Sequence, residues 1–350
     1  MFSNIRSLIF KLDPETAHSL AIKSLKFNFV PNMPDENKDD PLFKTDLFGK
    51  DIKNPIGMAA GFDKNAEVYN SLFKLGFGFV EVGTITPLKQ YGNPKPRVFR
   101  LVEDEALINR LGFNNLGADN IIGKINRNKK IGILGINIGP NKDSENRTED
   151  YLKCLKIFHQ VADYITINIS SPNTENLRKF HNQKKLDELL KNTEKAKQNL
   201  GSKIPIVVKI SPDINDGEID EISQVLLNNN VRGMVISNSS DATRERLMNI
   251  QKHQKGGLSG KPIKTKSTIL INKFYKLLKG RIKIIGVGGV DSGITAYEKF
   301  EAGADYVQLY TGMVYRGPNI VNMIKKELRE LLLKDGVKNF REIIGKKTNA

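Results

Sequence analysis

The chain has 350 residues, 39% hydrophobic and 27% charged, which excludes a disordered or fibrous protein and leaves room for one large barrel or two medium domains. Its net charge is +16, but the lysines are spread among asparagines and isoleucines with no Lys/Arg block; this reads as a lysine-rich solvated surface, with anionic lipid or anionic ligands as further partners and no nucleic acid expected. One cysteine, Cys154, excludes intrachain disulfides and a cysteine-ligated cluster held by this chain alone, and His18, His159, His181 and His253 lack ligand spacing, so no metal is expected.

In chain order, Phe2, Ile5, Leu8, Ile9 and Leu12 recur at helical spacing over residues 2–12. Asp13-Pro14-Glu15 then supplies an N-cap, a proline at the first helical position and an acid in the first turn, opening a second helix with Ala17, Leu20, Ala21 and Leu25 on one face. Pro31 to Pro41 is polar and acidic and reads as a linker. The two helices either pack on the main body or form a module on a membrane or at an apolar ligand's entrance. Residues 1–40 are therefore set apart from 41–350. No stretch of about 18 apolar residues exists to span a bilayer, and no signal peptide or transit peptide is recognised.

From residue 42, strand-like runs alternate with helical ones. Strands are expected at Ile56–Ala59, Phe79–Gly83, Leu134–Ile138, Tyr164–Ile169, Ile206–Ile210, Gly233–Ser237, Ile282–Val287 and Tyr306–Leu309. They are apolar without alternation, as parallel strands buried on both faces are. Helices such as Lys184–Leu200, Asp216–Asn229 and Thr265–Lys279 fall between them. Eight such units argue for an α/β chain with a (β/α)8 TIM barrel, a doubly wound sheet being the alternative. The long interval from Thr84 to Leu134 exceeds what one helix needs, and insertions after barrel strands usually cover the active site. The Lys-rich tail from Lys325 to Lys347 is expected to be a surface helix with a strand-like or coil end, without assigned function.

Chemistry gathers where the strands end. Asn168-Ile169-Ser170-Ser171-Pro172-Asn173-Thr174 follows the fourth strand, and Pro172, with no N–H, ends its ladder. Ala60-Gly61-Phe62-Asp63-Lys64 follows the first, and Thr84, Asn137, Lys209, Ser237-Asn238-Ser239-Ser240 and Tyr310-Thr311-Gly312 stand at the others. Asn, Lys, Thr and Ser pack barrels poorly, so together they mark one mouth. Gly286 to Gly293 and Thr311-Gly312, each opening a helix after strands seven and eight, suit a phosphate. Lys209 facing an electron-rich ring, with Asn137, Asn168 and Thr84 at its donor and acceptor edge, then suggests FMN. Asn109, Asn173 and Asn238 remain to clamp a second planar, amide-like molecule, with Lys64 for its carboxylate.

These motifs, with Asn109-Arg110-Leu111-Gly112-Phe113-Asn114, Asn137-Ile138-Gly139, Gly256-Gly257-Leu258-Ser259-Gly260 and Gly286-Val287-Gly288-Gly289, resemble dihydroorotate dehydrogenase from Ile5 to about Ile344. Serine rather than cysteine at Ser171, and the Leu12-Asp13-Pro14-Glu15-Thr16-Ala17-His18 junction, are similar to the quinone-linked, membrane-associated class. The resemblance implies that Ser171 removes the C5 proton of dihydroorotate while hydride leaves C6 for FMN, that orotate departs, and that a quinone such as ubiquinone takes the electrons in pyrimidine synthesis. Implied FMN contacts are Ala60, Gly61, Lys64, Thr84, Asn137, Asn168, Lys209, Ser237, Gly260, Gly289, Tyr310 and Thr311. Implied substrate contacts are Lys64, Asn109, Arg110, Leu111, Gly112, Phe113, Asn168, Asn173, Asn238 and Ser239. Thr174 and Phe113 match positions that shape the proton path. A monomer docked peripherally on the cytoplasmic side of a bacterial inner membrane is expected.

Two departures stand out. Ser237-Asn238-Ser239-Ser240 replaces the family's Thr-Asn-Thr-Thr, keeping the hydroxyls but losing the methyls that stiffen χ1. Pro140 stands where a lysine is often found. Competing readings are the cysteine-type soluble class using fumarate or NAD, a sugar-phosphate isomerase or aldolase on the same barrel, and a basic nucleic-acid-binding protein.

Overall fold

A computed structural model describes residues 2–27, 40–242 and 244–348. Eight parallel strands close in sequence order into a barrel: Ile56–Met58, Phe79–Ile85, Ile133–Ile138, Tyr164–Asn168, Ile206–Lys209, Gly233–Ile236, Lys283–Val287 and Tyr306–Leu309. The last pairs with the first, Val307 opposite Ile56. Helices pack outside and side chains fill the inside, so both faces are buried and no alternation survives in the sequence. The doubly wound alternative is excluded by the closure.

The floor of the barrel is plugged from below. Phe79, Tyr164, Val207, Val235, Ile285 and Tyr306 form a lower cluster with Leu47 and Ile52. These last two come from an antiparallel hairpin, Thr45–Leu47 and Lys50–Ile52, absent from the expected elements. Phe48, in the hairpin turn at φ 53°, sets its ring 5.6 Å from that of Tyr164. Three-residue strands with a Phe-Gly turn carry little sequence signal.

The opposite mouth is covered by a three-stranded antiparallel sheet of Val98–Leu101, Ala106–Asn109 and Gly257–Gly260. The long interval after the second strand thus holds a hairpin as well as the helix Ala118–Arg127.

The N-terminal helices are α1, Phe2–Ile9, and α2, Pro14–Lys26. The first stops three residues short of the expected 2–12; Asp13 Oδ1 then accepts from the amides of Glu15 and Thr16 and caps α2. Both dock on the body. Arg97 grips Glu15 with Nη2–Oε1 2.7 Å and Nε–Oε1 3.1 Å, Arg100 donates to Phe10 O at 3.1 Å, and Ser71 Oγ donates to Leu25 O at 2.8 Å. Most of the expected linker, Pro31 to Asp39, lies outside the described residues.

The tail departs from expectation. Its helix, Ile320–Lys334, lies at the surface but is amphipathic: Ile320, Val321, Ile324, Leu328 and Leu332 repeat at helical spacing and are buried, while Lys326 and Lys334 turn outward. It packs so closely on the helix Gly293–Glu301 that a Cβ at Gly293 would lie 2.4 Å from Glu327 Cβ. The end is a 3-10 turn, Phe340–Ile343, with neither of its two terminal residues exposed, not a strand. Asn339 and Arg341 bond back to Pro41 O, Lys44 O, Thr45 and Asp46.

Candidate active site

The C-terminal ends of the barrel strands and the covering sheet enclose one cleft. Strand one runs into Ala59 to Lys64, where Asp63 accepts from the amides of Glu67 and Val68 at 2.8 Å each and so fixes the turn presenting Lys64. Gly61, at φ 108°, bonds its N–H to Gly83 O at 2.8 Å, drawing the ends of strands one and two together. Lys64 is enclosed by protein, and burial lowers its ammonium to about 8 despite Glu15 and Asp63, with Arg97 adding to the depression.

Strand four delivers Asn168, Ser170 and Ser171. Ser171 is buried at the cleft wall, and its Oγ accepts from Asn173 N at 3.2 Å. Asn173 reaches across the cleft to Asn109, Nδ2 to O at 3.0 Å. Asn238 Nδ2 donates to Ser170 Oγ at 2.9 Å. Arg178 ties this loop to its neighbours, through Ser170 O at 3.3 Å and the carboxylates of Asp213 and Asp241. Asp213, with Asp241, Lys266 and Ser240 around it, is held down to about 2 against its own desolvation.

The far end of the cleft is lined by glycine backbone. A Cβ at Gly289 (φ 72°) would meet Lys264 Cβ at 2.5 Å, and one at Gly260 (φ 98°) would meet Glu105 O at 2.5 Å. Thr311, opening the helix Thr311–Arg316, shares a 2.9 Å hydrogen bond with Ser259. Lys209 projects into the cleft from strand five, and among the described residues no hydrogen bond engages its ammonium; burial lowers its pKa and Glu81 opposes that. A backbone cradle at one end and an unengaged cation at the centre fit a phosphate-bearing planar cofactor.

Of the implied cofactor contacts, all but one line this cleft. Asn137 does not: it is wholly buried one layer beneath, its Oδ1 accepting from Thr84 Oγ1 at 2.7 Å. Among implied substrate contacts, Arg110 is the exception. Its guanidinium turns away to Gln254 Oε1 at 2.9 Å and Pro96 O at 2.8 Å, stacked 4.5 Å from the Phe99 ring centroid. An extended strand end alternates its side chains, so Asn109 and Leu111 face the cleft while Arg110 faces out. Phe113 lines the cleft, whereas Thr174 is buried behind it. Sequence reading gave no contact to Asn114 or Ser259, which also line it, as does Gly288 of the expected phosphate segment. Asn114 was within reach, since the amide argument that singled out Asn109 applies to it equally.

A second cavity, mainly apolar, lies between α1, α2 and the barrel. Lys64, Val98, Leu107, Leu111 and Tyr310 belong to both walls. His18 stands in it, its ring 5.2 Å from Phe62, and burial together with the Lys64 charge holds it down to about 3, so it is neutral at any physiological pH.

The sequence profile described as "Dihydroorotate dehydrogenase" matches residues 42–332. A Bartonella tribocorum protein named "Dihydroorotate dehydrogenase (quinone)" is 47% identical over 342 residues, spanning 96% of this chain and 94% of its own. An Aliivibrio salmonicida protein of the same name is 46% identical over 329 residues, 91% of this chain and 97% of its own. The ligand-free crystal structure of DHODH from Eimeria tenella superposes with a TM-score of 0.92 at 37% identity, covering 97% of this chain and 100% of that one.

Proposed function

The chain belongs to the dihydroorotate dehydrogenase family, and from that premise we propose that it oxidises (S)-dihydroorotate to orotate in pyrimidine synthesis, using FMN and a quinone acceptor. The observation that carries this reading is the pair of adjoining cavities, one polar and amide-lined, the other apolar, with a shared wall. Bound FMN would supply the two-electron redox chemistry that links the substrate's hydride to the quinone.

The chain's own residues do the rest. Gly260, Gly289 and Thr311 would hold the cofactor's phosphate, and Lys209 would meet its ring. Asn109, Asn173 and Asn238 grip the flat substrate by its donor and acceptor edges, and Lys64 meets its carboxylate. Ser171 takes the C5 proton. Serine is a weak base, and a C5 proton made acidic by the adjacent carbonyl, with a buried, oriented hydroxyl, supports the role. The apolar cavity suits a quinone ring and tail, and His18, being neutral, adds no charge to its wall. Among the described residues no helix is long and apolar enough to cross a membrane. Leu8 and Phe27, 67% and 73% exposed on α1 and just after α2, support peripheral docking, on the cytoplasmic face of a bacterial inner membrane.

The test is oxidation of dihydroorotate by purified yellow protein, with a ubiquinone analogue, fumarate and NAD as rival acceptors. Turnover with the quinone alone is expected. Ser171→Ala should lose about 10²–10⁴-fold in rate while keeping its flavin. Turnover with fumarate or NAD overturns the quinone assignment, and an active Ser171→Ala overturns the base.

A further inference from the structure

Under the cleft, inside the barrel, lies a carboxylate that the reaction above does not use. Glu81 points inward from the second strand and is wholly inaccessible. Its Oε2 accepts from Tyr164 Oη at 3.1 Å, Thr166 Oγ1 at 3.0 Å and Gln308 Nε2 at 3.2 Å. Gln308 leaves its own buried Oε1 unpaired in giving its amide to Glu81. The other oxygen, Oε1, accepts from Asn137 Nδ2 at 2.8 Å.

From Asn137 the hydrogen bonds climb to the substrate cleft in one direction. Asn137 Oδ1 accepts from Asn168 Nδ2 at 3.2 Å, and Asn168 Oδ1 from Ser170 Oγ at 2.7 Å. Ser170 Oγ in turn accepts from Asn238 Nδ2 at 2.9 Å. Every donor in the series faces Glu81. An amide can be turned over without changing its shape, so such a chain has two possible polarities. A carboxylate has lone pairs alone to offer and selects one, and the backbone amides of Ser170 and Ser239, donating to Asn168 Oδ1 at 3.2 Å and Asn238 Oδ1 at 2.7 Å, select the same one.

We propose that Glu81 is a positioning residue that fixes the orientation of Asn137 and, jointly with the backbone amides of Ser170 and Ser239, sets one polarity through Asn168 and Asn238, so that the cleft wall presents one donor and acceptor pattern to a planar, amide-bearing ligand. The proposal rests on the dihydroorotate reading above.

Glu81→Gln separates polarity from shape. Two hydroxyls and the Gln308 amide already donate to one oxygen, so the new side chain keeps the most hydrogen bonds without rearrangement by putting its carbonyl there and its NH2 toward Asn137. Asn137 then turns over and confronts the donors of Thr84 and Asn168. Asn137→Asp added to Glu81→Gln restores an acceptor on both sides and the original direction. The measurement is the orotate Kd of each purified holoenzyme, read from the flavin absorption spectrum, with flavin retention and thermal unfolding beside it. Glu81→Gln should raise the Kd about tenfold or more, the penalty of one buried unpaired donor. The double variant should recover most of that loss, which a merely structural role would not allow. A Kd within about twofold of wild type in Glu81→Gln, or a double variant no better than the single, overturns the proposal. Should Glu81→Gln fail to fold, Ser170→Ala cuts the same chain next to Asn238 and leaves the barrel floor intact; unchanged orotate affinity there also overturns it. Wild-type protein that is colourless or ignores orotate refutes the ligand reading itself, a result distinct from equal binding by wild type and variant.

Discussion

Lys64 and Lys299 are both lysines that burial holds below the usual ammonium range, with opposite uses. Lys64, at about 8 in the free protein, carries the charge proposed to meet the substrate carboxylate. A lowered lysine loses its proton as pH rises through that value. We therefore expect kcat/KM for dihydroorotate to hold up to about pH 8 and then to fall by as much as about tenfold per pH unit. Lys64→Met should give a low profile without that alkaline limb; a variant that keeps the limb assigns it to another group. Lys299, wholly buried behind strand seven, bonds Ser267 Oγ at 3.1 Å and Thr268 Oγ1 at 3.2 Å. Burial lowers it to about 7, Lys264 adding to the shift and Glu298 opposing it. Unfolded lysine keeps its proton to about pH 10.4, so between these values the unfolded chain binds more protons and stability rises with pH. The wild-type Tm should thus gain on that of Lys299→Met from pH 7 to 9. Parallel Tm curves would show that Lys299 stays charged in the fold.

At the scale of elements, α1 and α2 hold two kinds of apolar residue. Ile9, Ala21 and Leu25 face the second cavity, whereas Leu8 and Phe27 do not line it and, among the described residues, are exposed. Each outward side chain would gain about 1.5–3 kcal/mol in a lipid surface. Leu8→Glu with Phe27→Glu should cut vesicle binding about tenfold or more and lower quinone turnover. Oxidation of dihydroorotate with a soluble dye should stay unchanged; a matching loss there would mean that the helices support the barrel rather than dock it. These helices were legible because a capped proline start and one apolar face are local signals. The three-stranded cover was not. Its strand Gly257–Gly260 pairs with Ala106–Asn109 about 150 residues away, a pairing that no local pattern announces. Glycine there serves contact rather than turning: a Cβ at Gly257 would lie 2.0 Å from Ser239 Oγ.

For the whole molecule, the barrel was readable because eight runs buried on both faces punctuate the chain, and each strand end lies within two residues of its expected place. The cleft was readable because polar residues at strand ends are costly elsewhere. Depth was not: nothing in the spacing says that Asn137 sits beneath the wall or that Glu81 lies under Asn137. Nor does a lysine-rich tail announce that its buried stripe and Asn339 and Arg341 brace the chain near residues 41–46.

That brace has a consequence for synthesis. Strand eight must pair with strand one, Arg6 of α1 bonds Tyr315 O at 3.3 Å, and Phe2 packs on Gly317. The partners of α1 leave the ribosome about 300 residues after it, which at 5–20 residues per second is a wait of about 15–60 s. Through that interval the apolar faces of α1 and α2 have no finished barrel to cover them. A nearby bilayer is then the first apolar surface they can meet, so delivery to the membrane can precede closure of the fold.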